Sequence, residues 1–312
     1  MNGYTAANNM PWKLLKNPRR IGTPYHIQFI PTNRCNGNCP WCSCKGVDRT
    51  LELETQEAID IINYFAELGA KAITITGGGE PLLHKGFERI FEAVNRQGIK
   101  SGLVSNSILL SQGKYAGILN DNLTWCRLSV TDTESGKYDV DKLVKAVNYL
   151  PDVAVGISFT VTENVNMDTV KHICIMAEAM ENITHIRFTQ DIFKASDEAN
   201  ITAMKRVENT VKHMTDKAII QFRNDPTVGA KKCHISKLKP IINCDGFVYP
   251  CCGVQYATDE THTMPEAMRM CYWNDFDLTP IFNGGICKVC YYNDYNRCID
   301  NIKAPIEHED FI

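Results

Sequence analysis

No apolar run in these 312 residues approaches the roughly 20 residues that a membrane-spanning helix needs. The opening stretch, Met1 to Trp12, is polar and has no signal-peptide core, so a cytoplasmic chain without a membrane role is expected. Charge of one sign is missing too: 33 Lys and Arg stand against 36 Asp and Glu, a formal net of −3. That balance excludes a global basic field for nucleic acid and leaves only local patches such as Lys13, Lys16, Arg19 and Arg20. Low-complexity tracts are absent, and so is any internal repeat beyond an alternation of secondary-structure elements. What remains, with 44% hydrophobic and 22% charged residues, has the composition of a soluble globular protein. Its length suffices for one full core, or for one large and one small domain.

Cysteine is what the chain has in excess. In a reducing compartment, 14 thiols point to metal or redox chemistry rather than to disulfides. They are grouped: four lie between Cys35 and Cys44, eight between Cys233 and Cys298, and only Cys126 and Cys174 fall between the groups. Core-filling cysteines would scatter. The first group contains Cys35-Asn36-Gly37-Asn38-Cys39-Pro40-Trp41-Cys42, three cysteines at Cx3Cx2C spacing just after a strand-like run. Three thiolates can hold three irons of a cubane cluster and leave the fourth iron open for chemistry.

The rest of the first two thirds alternates. Strand-like runs occur at Tyr25–Pro31, Lys71–Thr76, Ser101–Ser105, Trp125–Thr131, Val153–Val161 and His185–Gln190. Between them, apolar residues keep helical spacing, as in Ala58, Ile61, Ile62, Phe65 and Leu68, with Thr55 as N-cap and Gly69 as the stop. Gly98 ends the next helix, a short one is expected over Gln112 to Leu119, and Met204, Val207, Val211 and Met214 carry the last. Six βα units argue for parallel strands, arranged as an open doubly wound sheet or a partial barrel. In either case the loops leaving the strand C-termini form the active face, and the first cysteine loop is one of them. After about Gln221 the alternation stops and a cysteine-rich remainder begins, ending in an acidic tail at Glu307 to Asp310. We therefore expect an N-terminal extension at 1–22, a core at 23–225 and a small domain at 226–312.

The motifs of the core resemble those of radical S-adenosylmethionine enzymes. Cys35, Cys39 and Cys42 with Trp41 match the family's CxxxCxφC signature. Gly78-Gly79-Glu80-Pro81, about 40 residues on and after the second strand, matches its GGEP motif. The resemblance covers roughly residues 23 to 220 and implies a partial (β/α)6 TIM-like barrel. It also implies a [4Fe-4S] cluster on the three cysteines, with S-adenosylmethionine chelated to the open iron. Reduction of that cluster by a low-potential donor such as flavodoxin or ferredoxin would cleave the ligand to a 5′-deoxyadenosyl radical that abstracts hydrogen from substrate. The cofactor carries the hard chemistry, and the protein orients and shields it.

Residue by residue, Gly78 and Gly79 would let backbone approach the methionyl end of the ligand, and Glu80 would take its amino group. Val104-Ser105-Asn106-Ser107 resembles the family's TNG turn, with Ser107 in place of the glycine. Ser129, on the fourth strand, would contact the ligand carboxylate, and strand alternation puts Arg127 beside it and Cys126 on the other face. Thr160 and Thr162 fall where adenine contacts are usual. Arg187, Gln190, Asp191 and Asp132, at strand ends, are candidates to face substrate, with plain surface charge as the alternative. Cys126 and Cys174 read as packing, and Cys44 has no assigned role.

The second cysteine group resembles the auxiliary-cluster domains called SPASM and, in shorter form, twitch. Cys233 precedes Cys251 by 18 positions, Gly246 stands before Cys251 as Gly-x4-Cys, and Cys287 and Cys290 form CxxC. The full SPASM continuation fails, since Cys298 falls eight residues after Cys290. The shorter form, holding one auxiliary [4Fe-4S] cluster on Cys233, Cys251, Cys287 and Cys290, fits better and most resembles the alcohol-oxidising 2-deoxy-scyllo-inosamine dehydrogenase type. Cys252 competes with Cys251 for one ligand place, and a four-cysteine zinc site is the alternative. Cys244, Cys252, Cys271 and Cys298 are unassigned and leave room for a third cluster. The expected reaction is oxidation of a hydroxyl-bearing small molecule, a sugar, cyclitol or nucleoside, with the auxiliary cluster as electron acceptor. A peptide-modifying enzyme and a redox-neutral isomerase or mutase on a nucleotide or nucleic acid are the rivals, and a non-catalytic zinc protein is the distant one. Only about 22 residues precede the first strand, which weighs against a separate peptide-recognition domain.

Overall fold

The computed structural model of the chain describes residues 22–130, 140–223, 228–254 and 264–303. Lys13, Lys16, Arg19, Arg20, Asp132, the proposed boundary near 225 and the acidic tail lie outside the described residues.

Seven parallel strands form the centre: β1 His26–Phe29, β2 Ala72–Ile75, β3 Lys100–Ser105, β4 Trp125–Ser129, β5 Ala154–Val161, β6 Ile183–Gln190 and β7 Ala218–Gln221. They lie in sequence order, as right-handed βα connections in one direction produce. The helices between them are α1 Thr55–Glu67, α2 Phe87–Arg96, α3 Ala116–Asn122, α4 Val140–Asn148, α5 Met167–Ala179 and α6 Glu198–Val211. This is the parallel α/β arrangement expected from the alternation, in the partial-barrel form that the resemblance implies. The seventh strand is an addition. Its four residues, AIIQ, are too short and too exposed to stand out as a strand run, and it forms by hydrogen bonding along β6.

The ends of the helices follow local chemistry. Gly69 and Gly98 take positive φ (102° and 65°) just past α1 and α2, the left-handed stop that glycine accepts without steric cost. The cap of α1 is shifted by one from the expected Thr55 to Glu54, which makes no side-chain capping bond. Thr55 is instead buried against Gly86, where its bulk leaves no space for a Cβ. Asn166 caps α5 by accepting from the backbone N–H of Asp168 and Thr169 at 2.9 and 3.4 Å.

Strand alternation separates two faces. Ile27, Phe29, Ile73, Ile75, Leu103, Cys126, Leu128, Val155, Ile157, Phe159, Ile186 and Phe188 are buried against the helices. The other face carries His26, Gln28, Arg127, Ser129, Ser158, Thr160, His185 and Arg187, all partly accessible. Cys126 and Cys174 are fully buried in the apolar core, as packing residues are.

The cysteine-rich remainder continues the same sheet. β8 Ile241–Ile242 pairs parallel with β1, and β9 Phe247–Tyr249 and β10 Cys271–Tyr272 add antiparallel strands beyond it. One hydrophobic cluster runs from Ile27 through the barrel to Val248, Tyr249, Met268 and Phe276. Helix α1 is stapled to this region: Phe65 packs on Phe276 at 5.2 Å, Tyr64 meets Trp273 edge-on at 5.5 Å, and Trp273 Nε1 donates to Glu57 at 3.1 Å. Two further helices, α7 Ile235–Leu238 and α8 Asn293–Lys303, pack around a small second cluster of Cys233, Ile235, Leu238 and Ile299. Among the described residues no helix is long and apolar enough to cross a membrane.

Candidate active site

The loop after β1 holds Cys35, Cys39 and Cys42, all half-exposed, in a series of tight turns. Cys42 N–H donates to the Cys39 carbonyl at 3.2 Å and Lys45 N–H to the Cys42 carbonyl at 3.1 Å. Donors point at the sulfurs: Gly37 N–H at Cys35 Sγ (3.3 Å), Asn106 Nδ2 at Cys35 Sγ (3.9 Å) and Arg49 at Cys42 Sγ (3.8 Å). Such donors favour thiolate over thiol. The Cys42 pKa falls to about 5, driven first by the Cys44 thiol and backbone and then by Arg49, against the opposing effect of burial. Buried Cys44 is pushed the other way because it keeps the proton it shares with Cys42. Burial raises the Cys35 thiol.

Arg49 is a site residue that sequence reasoning misses, since no spacing rule marks it. Its guanidinium donates to the Gly78 carbonyl at 2.7 Å, the Asn33 carbonyl at 3.3 Å and the Cys44 carbonyl at 3.2 Å. One planar fork thus ties the exit of β1, the cysteine loop and the turn after β2 together. Gly78 and Gly79 have a reason of their own. A Cβ on Gly78 would run into the Asn33 side chain, and one on Gly79 into the Arg34 carbonyl. The close approach that demands glycine here is made by the protein's own 33–34 segment, in addition to any approach by a ligand.

Glu80 is 1% exposed. Its carboxylate accepts from Leu82 N–H (3.2 Å), Ser105 Oγ (3.0 Å) and Asn106 N–H (2.7 Å). Burial raises its pKa to about 7, with those three donors opposing. Two carboxylate oxygens offer about four lone-pair sites, so three bonds leave room for a further donor. Asn106 also donates to Asn36 in the cysteine loop at 2.8 Å, so the β3 turn reaches both motifs. At Ser107 the backbone takes φ +71°, the conformation for which the family's glycine is suited, and its hydroxyl donates to the Ser129 carbonyl at 3.2 Å. Ser129, Ser158 and Thr160 share the accessible face of β4 and β5, and Ser129 is in register with Ser158. Trp41 is half-buried at the edge of the cysteine loop. Gln190 and Asp191 serve local structure: Gln190 donates to the Ala195 carbonyl at 3.0 Å, and Asp191 accepts from Phe193 N–H at 3.1 Å.

The second cysteine group is brought together from three separate segments. Cys233, Cys251, Cys287 and Cys290 all line one hollow of about 450 Å³, measured out to bulk solvent. Cys252 turns away and its thiol meets the Tyr292 hydroxyl at 2.9 Å. Backbone N–H groups of Gly253 and Tyr292 point at Cys251 Sγ (3.3 Å) and Cys290 Sγ (3.4 Å). Gly229 and Gly284 form part of the wall, each so close to the neighbouring backbone that a Cβ would collide with it. Burial pushes the Cys233 thiol up to about 11 and the Cys287 thiol up to about 12, and raises Cys251 and Cys290 as well. Thiols so raised ionise only when a cation or cluster joins them. A hollow with thiols on its walls and N–H donors aimed at sulfur fits an iron–sulfur group. Among the described residues, no three His, Cys, Asp or Glu side chains converge as ligands of a metal ion would. Cys244 is buried beside Asn243, Cys271 lies in β10, and Cys298 is exposed.

Comparison with known proteins agrees with this geometry. Residues 29–177 match the radical SAM superfamily. The chain is 48% identical over 72 residues to a GTP 3′,8-cyclase from Psychromonas ingrahamii, covering 22% of this chain and 21% of that protein. It is 32% identical over 165 residues to the GTP 3′,8-cyclase of Staphylococcus haemolyticus, covering 47% of each. The chain therefore spans about half, or less, of the length of these curated relatives. In three dimensions it resembles Streptococcus suis SuiB bound to precursor peptide SuiA, with a TM-score of 0.61 at 15% identity, covering 95% of this chain and 77% of that one. That likeness speaks to the fold. With the cysteine triplet and the Gly78–Glu80 turn placed side by side at the strand C-termini, and the matched segment spanning both, residues 29–177 carry a domain of the radical SAM superfamily.

Proposed function

We propose that the chain oxidises a hydroxyl-bearing small molecule, such as a sugar, cyclitol or nucleoside, by radical chemistry. Cys35, Cys39 and Cys42 would hold a four-iron cluster with one iron open. Glu80, Ser105, Asn106, Ser129 and Thr160 line the way to it as the contacts for S-adenosylmethionine. When bound, this pair supplies a 5′-deoxyadenosyl radical able to take hydrogen from an unactivated carbon. The protein's part is positional. Arg49 fixes the loop against the Gly78 turn, and buried Glu80 offers a carboxylate whose charge a ligand ammonium would stabilise.

The observation that carries the oxidative reading is the hollow that Cys233, Cys251, Cys287 and Cys290 together line. Four thiolates leave no open iron, so an auxiliary cluster there suits electron acceptance and not substrate ligation. We read 226–312 as a domain of SPASM or twitch type on this basis, with 23–225 as the core. A second reading, a redox-neutral rearrangement of a nucleotide, draws support from relatives that are named for action on GTP.

Anaerobic reconstitution should give about eight irons per chain, from two four-iron clusters. Dithionite-reduced protein should cleave S-adenosylmethionine to 5′-deoxyadenosine, and Cys35→Ala should bring that to the level of the protein-free control. Zinc in place of iron and labile sulfide, or unchanged cleavage by the variant, would sink the reading.

A further inference from the structure

Arg49 holds a positive charge against the cysteine triplet without being part of its motif. It stands seven residues past Cys42 and is half-buried. Nη1 donates to the Gly78 carbonyl at 2.7 Å and to the Asn33 carbonyl at 3.3 Å. Nη2 donates to the Cys44 carbonyl at 3.2 Å and to Cys42 Sγ at 3.8 Å. The three carbonyls belong to the exit of β1, the cysteine loop and the turn after β2. A planar fork tied at three such points keeps one orientation, so its approach to the sulfur is built into the fold.

The nearest carboxylates along the chain face elsewhere. Asp48 accepts from the Thr50 N–H at 2.8 Å and from the Thr50 hydroxyl at 2.6 Å. Glu52 pairs with Arg34 at 3.6 Å. The carbonyls that receive Arg49 carry only partial charge, so they orient the cation and leave its charge to act on Cys42. The Gly37 N–H and the Asn106 amide, which point at Cys35, are neutral donors. A charged donor makes a bond roughly twice as strong as a neutral one. Arg49 and Cys42 are both half-buried, so water screens the pair only in part.

We propose that Arg49 sets the reduction potential of the cluster held by Cys35, Cys39 and Cys42. The inference rests on the radical reading, because it needs that cluster. Uptake of one electron from a low-potential donor adds one negative charge there and makes or breaks no bond. A cation fixed 3.8 Å from a ligand sulfur stabilises the reduced form over the oxidised one. Net charge and hydrogen bonds to sulfur are the means by which a protein moves such potentials. Arg49 therefore raises the potential and brings it closer to that of the donor. The same fork holds the Gly78 carbonyl, so the charge stays in register with the turn proposed to seat S-adenosylmethionine. Arg49 acts through Cys42 and Gly78, which makes it a positioning residue whose effect is read in a potential.

The test is a redox titration of the anaerobically reconstituted full chain, followed by electron paramagnetic resonance. The signal that changes on addition of S-adenosylmethionine singles out the triplet cluster. Arg49→Gln removes the charge and should lower its midpoint potential by about 60 mV or more, a tenfold loss in the equilibrium of a one-electron couple. Arg49→Lys keeps the charge without the fork and should shift the midpoint by less than half as much. The signal that ignores S-adenosylmethionine should titrate alike in all three proteins. Iron content and circular dichroism check loading and folding. An unmoved midpoint in Arg49→Gln overturns the inference. So does an equal shift in Arg49→Lys, which gives the effect to lost geometry, or a parallel shift of the other signal, which makes it global. Loss of the triplet cluster from both variants also overturns it, by making Arg49 a residue of loop assembly alone. Should Arg49→Gln alone fail to load, Arg49→Lys decides: a midpoint within about 30 mV of the wild type supports the charge, and a larger fall overturns it. A wild type with no signal that responds to S-adenosylmethionine sinks the radical reading and the inference with it, whereas the variant results leave that reading intact.

Discussion

The two cysteine regions solve different problems with the same residue. Cys35, Cys39 and Cys42 come from one eight-residue stretch, stay half-exposed, and sit among donors that pull the Cys42 pKa to about 5. Cys233, Cys251, Cys287 and Cys290 come from segments up to 57 positions apart, line a hollow between packed elements, and have thiols pushed upward by burial. The first is a local device with an accessible side, as a site for exchangeable ligand needs. The second is built by tertiary packing and is the more enclosed of the two, with Cys233 and Cys287 buried and Cys251 and Cys290 half-exposed, which suits a site that stores charge or braces structure. Pairs of sites with opposed environments are a way for one chain to assign separate roles to chemically identical groups.

The largest effect that could break this contrast comes from the second site. Cys287→Ala should lower reconstituted iron from about eight to about four per chain while reductive cleavage of S-adenosylmethionine persists. The spectroscopic signature to look for is loss of the paramagnetic signal that does not respond to S-adenosylmethionine. Loss of cleavage together with the iron would mean that the two regions act as one unit and that the contrast is wrong.

A smaller effect tests the first region. Burial raises Glu80 to about 7, from an ordinary carboxylate value of 4.5. For an acid raised in the folded state, the stabilising protonated form is fully present below the unfolded pKa and is lost as pH rises through the folded one. Stability of the metal-free chain should therefore fall between about pH 4.5 and 7 and level off above. At about 1.4 kcal/mol per pKa unit, the fall is on the order of 3 kcal/mol. Urea unfolding of wild type and Glu80→Gln across that range should show the slope in the first and its absence in the second. Parallel curves would mean that Glu80 is not held protonated by its surroundings.

Smallest is the effect at Ser107. Its positive φ costs roughly 1–2 kcal/mol, and its bond to the Ser129 carbonyl returns about 1 kcal/mol. Ser107→Gly relieves the strain and loses the bond, so its stability should lie close to that of the wild type. Ser107→Ala keeps the strain and loses the bond, and should be less stable than the glycine variant by about 1 kcal/mol in urea unfolding. If alanine matches glycine, the turn is not strained.

Much of the first region is legible in the sequence. Cx3Cx2C after a strand, and the Gly-Gly-Glu-Pro turn after the next, are short-range patterns, and six of the seven parallel strands stand out as β-branched runs between amphipathic helices. Arg49 is not legible, because its partners at Asn33, Cys44 and Gly78 are joined to it only by folding. Strand β7 is not, because four half-exposed residues become a strand only beside β6. Spacing favours Cys251 over Cys252 without deciding between adjacent thiols. In the fold it is a matter of which thiol faces the hollow and which faces Tyr292.

The kind of chemistry is written in the order of residues along the chain: three thiols within eight residues, glycines at a strand end and a run of βα units are local properties. Folding in three dimensions adds what that order does not contain. The cysteine-rich remainder extends the barrel sheet through β8 along β1, and four distant thiols share one hollow. The reason is physical. A turn or a helix is set by neighbours a few residues away, whereas strand order and the meeting of distant side chains are set by packing of the whole core.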